Sequence, residues 1–130
     1  MSASNVEIVR RVYAALARNE FPATLLDPDV EYVNPAGAVE PGVRRGIGAF
    51  TDAVQAVLDG WQSFRMEPER FTAVGDQVAV VLSYEARGPS SGVEVHGRES
   101  ALFTLHEGKI VRYEWFHEPD EAHDAAMRRA

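Results

Sequence analysis

Apolar residues recur every three or four positions in two stretches of this chain and every second position in several others. Val6, Val9, Tyr13, Leu16 and Ala17 form one stripe, the spacing of a half-buried helix, and predict a helix over 4–18. Ser4 and Glu7 have the spacing of a capping box at its start. Arg10, Arg11 and Arg18 lie off the stripe and are expected in solvent. A short second helix is expected over 21–26, stopped by Asp27-Pro28. Val30, Tyr32 and Asn34 alternate along a short strand ended by Pro35, and 36–46 is a loop by its Gly and Pro content. Ile47, Phe50, Val54, Val57, Leu58 and Trp61 mark the buried side of a second strong helix over 47–58, with Gly60 as its C′ residue.

Strand periodicity takes over from there. A strand over 63–74 carries Phe64 and Met66 and is interrupted by Pro68, which implies a bulge or an edge position. The next, over 77–87, is apolar on both faces and reads as a central strand. A Gly-Pro-Ser-Ser-Gly loop at 88–92 leads into two long strands, 93–105 and 110–117, joined by the turn His106-Glu107-Gly108-Lys109. Alternation places Glu99, Ala101, Phe103, Tyr113, Trp115 and His117 on one face of that pair. Pro119 starts a last, weakly apolar helix. Helices first and strands afterwards predict one α+β domain, with the helices on one face of a curved sheet.

Charge narrows the function. Thirteen basic and 20 acidic residues leave a net charge of −7, which argues against a nucleic-acid groove or an anionic membrane surface as partner. No apolar run has the length of a membrane span, and no signal peptide precedes the first helix, so a cytoplasmic protein is expected. There is no Cys, hence no disulfide and no thiolate chemistry. His96, His106, His117 and His123 share neither a face nor a ligand spacing, so no metal is expected. No phosphate-loop motif occurs, and no other cofactor is implied.

Candidate chemistry gathers on the last two strands. Glu99 falls on an apolar face, where desolvation would raise its pKa toward that of a general acid or base; the alternative is an ion pair with Arg98 or Arg112 at the sheet rim. His117 titrates near neutrality and ends a strand, either at a pocket mouth, where Glu99 would orient it as an acid/base dyad, or simply in solvent. Tyr13, Tyr32 and Tyr84 offer hydroxyls to a carbonyl or enolate oxygen, or are core residues. Asn34 orients a water or a carbonyl, or caps the turn before Pro35. Trp61, Phe64, Met66, Ala101, Tyr113 and Trp115 are the expected lining for a flat apolar ligand. Arg44-Arg45 is a solvated loop pair, or meets an anionic group at the mouth.

In order along nearly the whole chain, NVEIVRRVYAAL, LLDPDVEY, RRGIGAF, GDQVAVV, LFTLHEGKIVRYEWF and the closing helix resemble the SnoaL-like branch of the nuclear transport factor two superfamily. The resemblance implies a cone-shaped, barrel-like α+β fold. Its strongly curved, mixed but mostly antiparallel sheet would wrap around N-terminal helices, with a pocket at the wide end. It also implies a homodimer formed through the outer sheet face and a small apolar organic ligand. Members include ketosteroid isomerases, polyketide cyclases, limonene epoxide hydrolases, dehydratases and non-catalytic binding domains. Overlaid on the isomerases, Tyr13 matches the oxyanion-hole tyrosine. Asn34, in Asn34-Pro35-Ala36-Gly37, stands where they keep the basic Asp, and Ala101 where they keep the protonated Asp. Overlaid on the epoxide hydrolases, Tyr32-Val33-Asn34 matches the water-holding Tyr-x-Asn, while Leu82, Tyr84 and Trp115 stand in for the Asp-Arg-Asp set. The implied functions are a cofactor-independent isomerase, cyclase or dehydratase using His117, Glu99, Tyr13 and Asn34, a binding protein with the same pocket, or water addition.

Overall fold

The computed structural model describes residues 2–38, 40–88 and 92–130; Val39 and most of the expected 88–92 loop lie outside them. Helix α1 spans Ser2–Ala17. It starts before the expected cap, so Ser4 lies exposed inside the first turns rather than at N-cap. Its other end is a Schellman motif: the Glu20 amide donates to the Ala15 carbonyl at 2.9 Å and the Asn19 amide to the Leu16 carbonyl at 3.0 Å. Asn19 takes the left-handed conformation, φ 59°, that the motif needs. The expected helix over 21–26 shrinks to a single 3-10 turn, Ala23–Leu25, because Leu26 is taken into the sheet.

The strands are β1 Leu26–Asn34, β2 Gly42–Arg45, β3 Ser63–Val74, β4 Gln77–Arg87, β5 Glu94–His106 and β6 Lys109–Phe116, with α2 at Ile47–Asp59 and α3 at Glu121–Arg129. They form one curved, unclosed sheet in the order β2-β1-β6-β5-β4-β3. β1 and β6 pair in parallel; the other neighbours are antiparallel. The mixed, mostly antiparallel α+β architecture is the one expected. Three differences matter. The expected strand at 30–34 begins at Leu26 and absorbs Pro28 through a register shift before Glu31. Part of the expected 36–46 loop is the edge strand β2. Gly60 adopts right-handed helical angles, φ −73°, so it does not act as a left-handed C′ residue.

β3 is the other edge, and its register slips between Pro68 and Arg70, as a proline without an amide donor requires. The β5–β6 turn has positive φ at both Glu107 (49°) and Gly108 (81°), the geometry that matches the twist of a tight hairpin.

The sheet has two occupied faces. α1 and α2 fill the inner one, where Val9, Val12, Tyr13, Phe50 and Ala53 pack against Val30, Tyr32, Val78, Val80, Leu82, Ala101 and Phe103. α3 crosses to the outer one, against the expectation that all helices share a face. Its Ala122, Ala125 and Ala126 seat on Ala79 and Leu102, which have the opposite strand parity. Ser100 clasps it, donating to the Glu118 carbonyl (2.6 Å) and accepting from the Ala122 amide (3.1 Å). Glu114, 4% exposed, holds its far end through Arg129 at 2.5 Å.

Candidate functional site

The inner face leaves a cavity of about 680 Å³ between α1, α2 and β3, lined by Arg10, Tyr13, Phe21, Tyr32, Phe50, Phe64, Met66, Phe71, Phe103 and Tyr113, among others. Of the sequence-chosen residues it gathers Tyr13, Tyr32, Phe64, Met66 and Tyr113. Val57 and Leu58 also line it from α2 and stay 40% and 38% exposed; the expectation that they are buried fails because the cavity stands where their partners would be. Trp61 lies past the end of α2 and is not in the wall. Ala101 is fully buried in the sheet. Tyr84 lies across Gly97 and stacks on Phe64, with ring centroids 6.5 Å apart and planes at 7°.

The tyrosines form a packed aromatic group. Tyr13 meets Phe103 edge-on at 5.8 Å, Phe103 meets Tyr113 at 5.0 Å, and Tyr113 meets Tyr32 at 5.1 Å. Burial pushes the Tyr13 and Tyr113 hydroxyls well above their usual range, and the Glu99 charge adds to it; the same causes push Tyr32 up to about 12. These hydroxyls therefore stay protonated donors. The Tyr13 hydroxyl is buried without a hydrogen-bond partner among the described residues. A native buried hydroxyl is nearly always paired.

Glu99 stands on the inner face opposite Leu82. Arg98 pairs instead with Glu69 at 2.9 Å, and Arg112 with Glu31 at 2.8 Å and with Glu114, so neither rim arginine reaches it. Burial pushes its carboxyl up to about 7. It has no hydrogen-bond or ion-pair partner among the described residues, is half-buried, and is not among the lining residues. Continuing the pairing Ala101↔Trp115 and Ser100↔Phe116 puts His117 opposite Glu99, but β6 ends at Phe116. The exposed His117 ring packs edge-on against Trp115 at 5.0 Å and over Gly37, where an added Cβ would come within 3.3 Å of Nε2. No hydrogen bond joins it to Glu99.

Asn34 is occupied at both ends of its amide. Oδ1 accepts from Trp115 Nε1 at 2.6 Å and Nδ2 donates to the Glu40 carbonyl at 2.9 Å. Arg44 and Arg45, now in β2, are occupied too, by Glu40 and by Glu31. Among the described residues no group of three or more His, Asp and Glu is placed to hold a metal ion, and no helix is long and apolar enough to cross a membrane. Arg10 is exposed, as expected; what sequence reasoning missed is that its guanidinium lies 4.4 Å from the Phe71 ring centroid at the cavity wall. Helical periodicity carries no signal for that contact, because Phe71 comes from β3.

Residues 9–113 match the family profile described as SnoaL-like domain. Curated proteins offer no match. Among solved structures, TerC co-crystallized with polyporic acid superposes with TM-score 0.78 at 22% identity, covering 95% of this chain and 98% of that one. An NTF2-like protein from Burkholderia thailandensis E264 gives 0.78 at 25%, covering 95% and 96%. A Jannaschia sp. CCS1 protein named for SnoaL-like polyketide cyclases gives 0.79 at 20%, covering 89% and 86%. At these identities the likeness carries the fold.

Proposed function

This chain belongs to the SnoaL-like domain family, and on the site just described we propose that it binds a small, flat organic molecule and performs cofactor-independent acid/base chemistry beside a carbonyl group. The observation that carries this is a pair of unpartnered groups on the inner sheet face, one buried and one half-buried. The Tyr13 hydroxyl is a buried donor without an acceptor, and Glu99 is a carboxyl without a partner, pushed up to about 7. A ligand carbonyl would complete Tyr13. Ionised Glu99 would take a proton from the adjacent carbon, Tyr13 would donate to the developing enolate oxygen, and protonated Glu99 would return the proton at the same or a conjugated carbon. A pKa of about 7 suits a group that must both take and return a proton near neutrality. In this reading Asn34 positions Trp115 and the following loop, and His117 stands at the rim. The family names and the polyporic acid bound by TerC agree with a cyclic, oxygenated ligand.

The test is solvent exchange of the α-protons of 2-tetralone in D2O, followed by NMR. The wild type is expected to accelerate it, Glu99→Gln to abolish the acceleration, and Tyr13→Phe to reduce it by about 10²-fold, the weight of one oxyanion donor. A wild type that binds the ketone without accelerating exchange overturns the chemistry. It would leave the second reading, a binding protein with the same cavity, which is favoured by the absence of Glu99 from the cavity lining. Water addition is the weakest reading, since both ends of the Asn34 amide are taken.

A further inference from the structure

We infer that Arg10 selects ligands carrying an anionic group, so that the cavity takes a flat apolar body with a carboxylate, sulfonate or phenolate directed at the rim between α1 and β3. The inference rests on the cavity reading above and adds the ligand's charge to it. In a chain of net charge −7, cations near carboxylates are readily neutralised. Arg11, Arg18, Arg44, Arg45, Arg87, Arg98, Arg112 and Arg129 each have a carboxylate within ion-pair distance. Arg10 has none among the described residues, although Glu7 lies one turn away, paired with Arg11. Its guanidinium is held instead over the Phe71 ring at 4.4 Å, and Phe71 is itself a cavity residue.

That contact fixes the cation over the apolar wall without neutralising it, since a ring face attracts a cation and leaves its N–H donors free. Arg65 and Glu67 border the same cavity from β3 but have the opposite strand parity to Phe64 and Met66, so Arg10 is the cation that lies against its aromatic wall. Arg10 therefore presents one positive charge beside an aromatic interior. A planar guanidinium fork is suited to a carboxylate or sulfonate.

The experiment is fluorescence titration with two dyes of one ring framework, anionic 1-anilinonaphthalene-8-sulfonate and neutral N-phenyl-1-naphthylamine. Arg10→Gln is expected to weaken the anionic dye about tenfold, the weight of one charge-assisted hydrogen bond, and to leave the neutral dye within about twofold. Arg10→Lys is expected to restore part of the loss. Val57→Trp, at an exposed position of the wall, is expected to exclude both dyes. Equal effects of Arg10→Gln on the two dyes, or none on the anionic one, overturn the inference and leave the cavity reading standing. Dye binding that survives Val57→Trp lies elsewhere and overturns it too. If neither dye binds the wild type, the cavity reading falls and takes this inference with it.

Discussion

Glu99 is the residue on which site and stability meet. Burial lifts its carboxyl from 4.5 to about 7, so over that window the folded chain binds a proton that the unfolded chain releases. Stability then falls as pH rises from 4.5 to 7, by an amount on the order of 2–3 kcal/mol. Glu31 and Glu114 have the opposite sign. Arg45 and Arg112 hydrogen-bond Glu31, and for Glu114 the bonds from Arg129 and Arg112 outweigh burial, so both are held below the usual carboxylate range. Their contribution is present above 4.5 and is lost as pH falls through their lowered values. Glu99→Gln is therefore expected to flatten the 4.5–7 limb of a melting-temperature profile, to leave the acid limb unchanged, and to exceed the wild type at pH 8 by about that same 2–3 kcal/mol. A parallel pair of profiles would show that Glu99 is solvated. The alternating pattern made the face of Glu99 legible in the sequence. The absence of a partner was not, because it depends on where Arg98 and Arg112 send their side chains across neighbouring strands.

Elements carry the next level of specification. Gly97 on β5 lets the Tyr84 ring of β4 lie flat over the backbone. A Cβ there would stand 2.5 to 2.9 Å from Tyr84 ring and hydroxyl atoms. Gly97→Ala is expected to push that ring off Phe64 and to cost about 1–2 kcal/mol, as small-to-large changes in packed sites do. In a Tyr84→Leu background the same change is expected to cost close to nothing, and chemical denaturation of the four proteins measures the coupling. A full cost in both backgrounds would place the clash elsewhere. Local signals fixed β3, β4 and the β5–β6 hairpin closely: Pro68 marked the slip and Glu107-Gly108 the turn. They misjudged 21–26 and 36–46. There, short ambiguous segments were recruited by β1 and β2 through pairings such as Tyr32↔Arg44, and no window of local sequence contains both partners of such a pair.

At the scale of the whole molecule, the homodimer implied by the family resemblance would close over the outer face of β3 to β5. That face carries Arg98 paired with Glu69, and His96 near Glu85 and Glu94. Sedimentation is expected to give about twice the 14.3 kDa chain mass. Raising ionic strength from about 0.05 to about 0.5 M should shift the equilibrium toward dimer, since the repulsion between two chains of charge −7 is screened within a Debye length. A single monomeric species at every concentration would remove the dimer. The sequence by itself determined the α+β order, the inner and outer parity of the long strands, and the superfamily, because periodicity and turn chemistry are local and each strand is long enough to show them. Tertiary structure alone decided that α3 crosses to the outer face, that the amide of Asn34 is occupied, that Tyr13 and Glu99 have no hydrogen-bond partner among the described residues, and that Arg10 rests on Phe71. Each of these depends on a pairing between segments distant in the chain, or on one that did not form, and their positions are set only when the sheet curves around its helices.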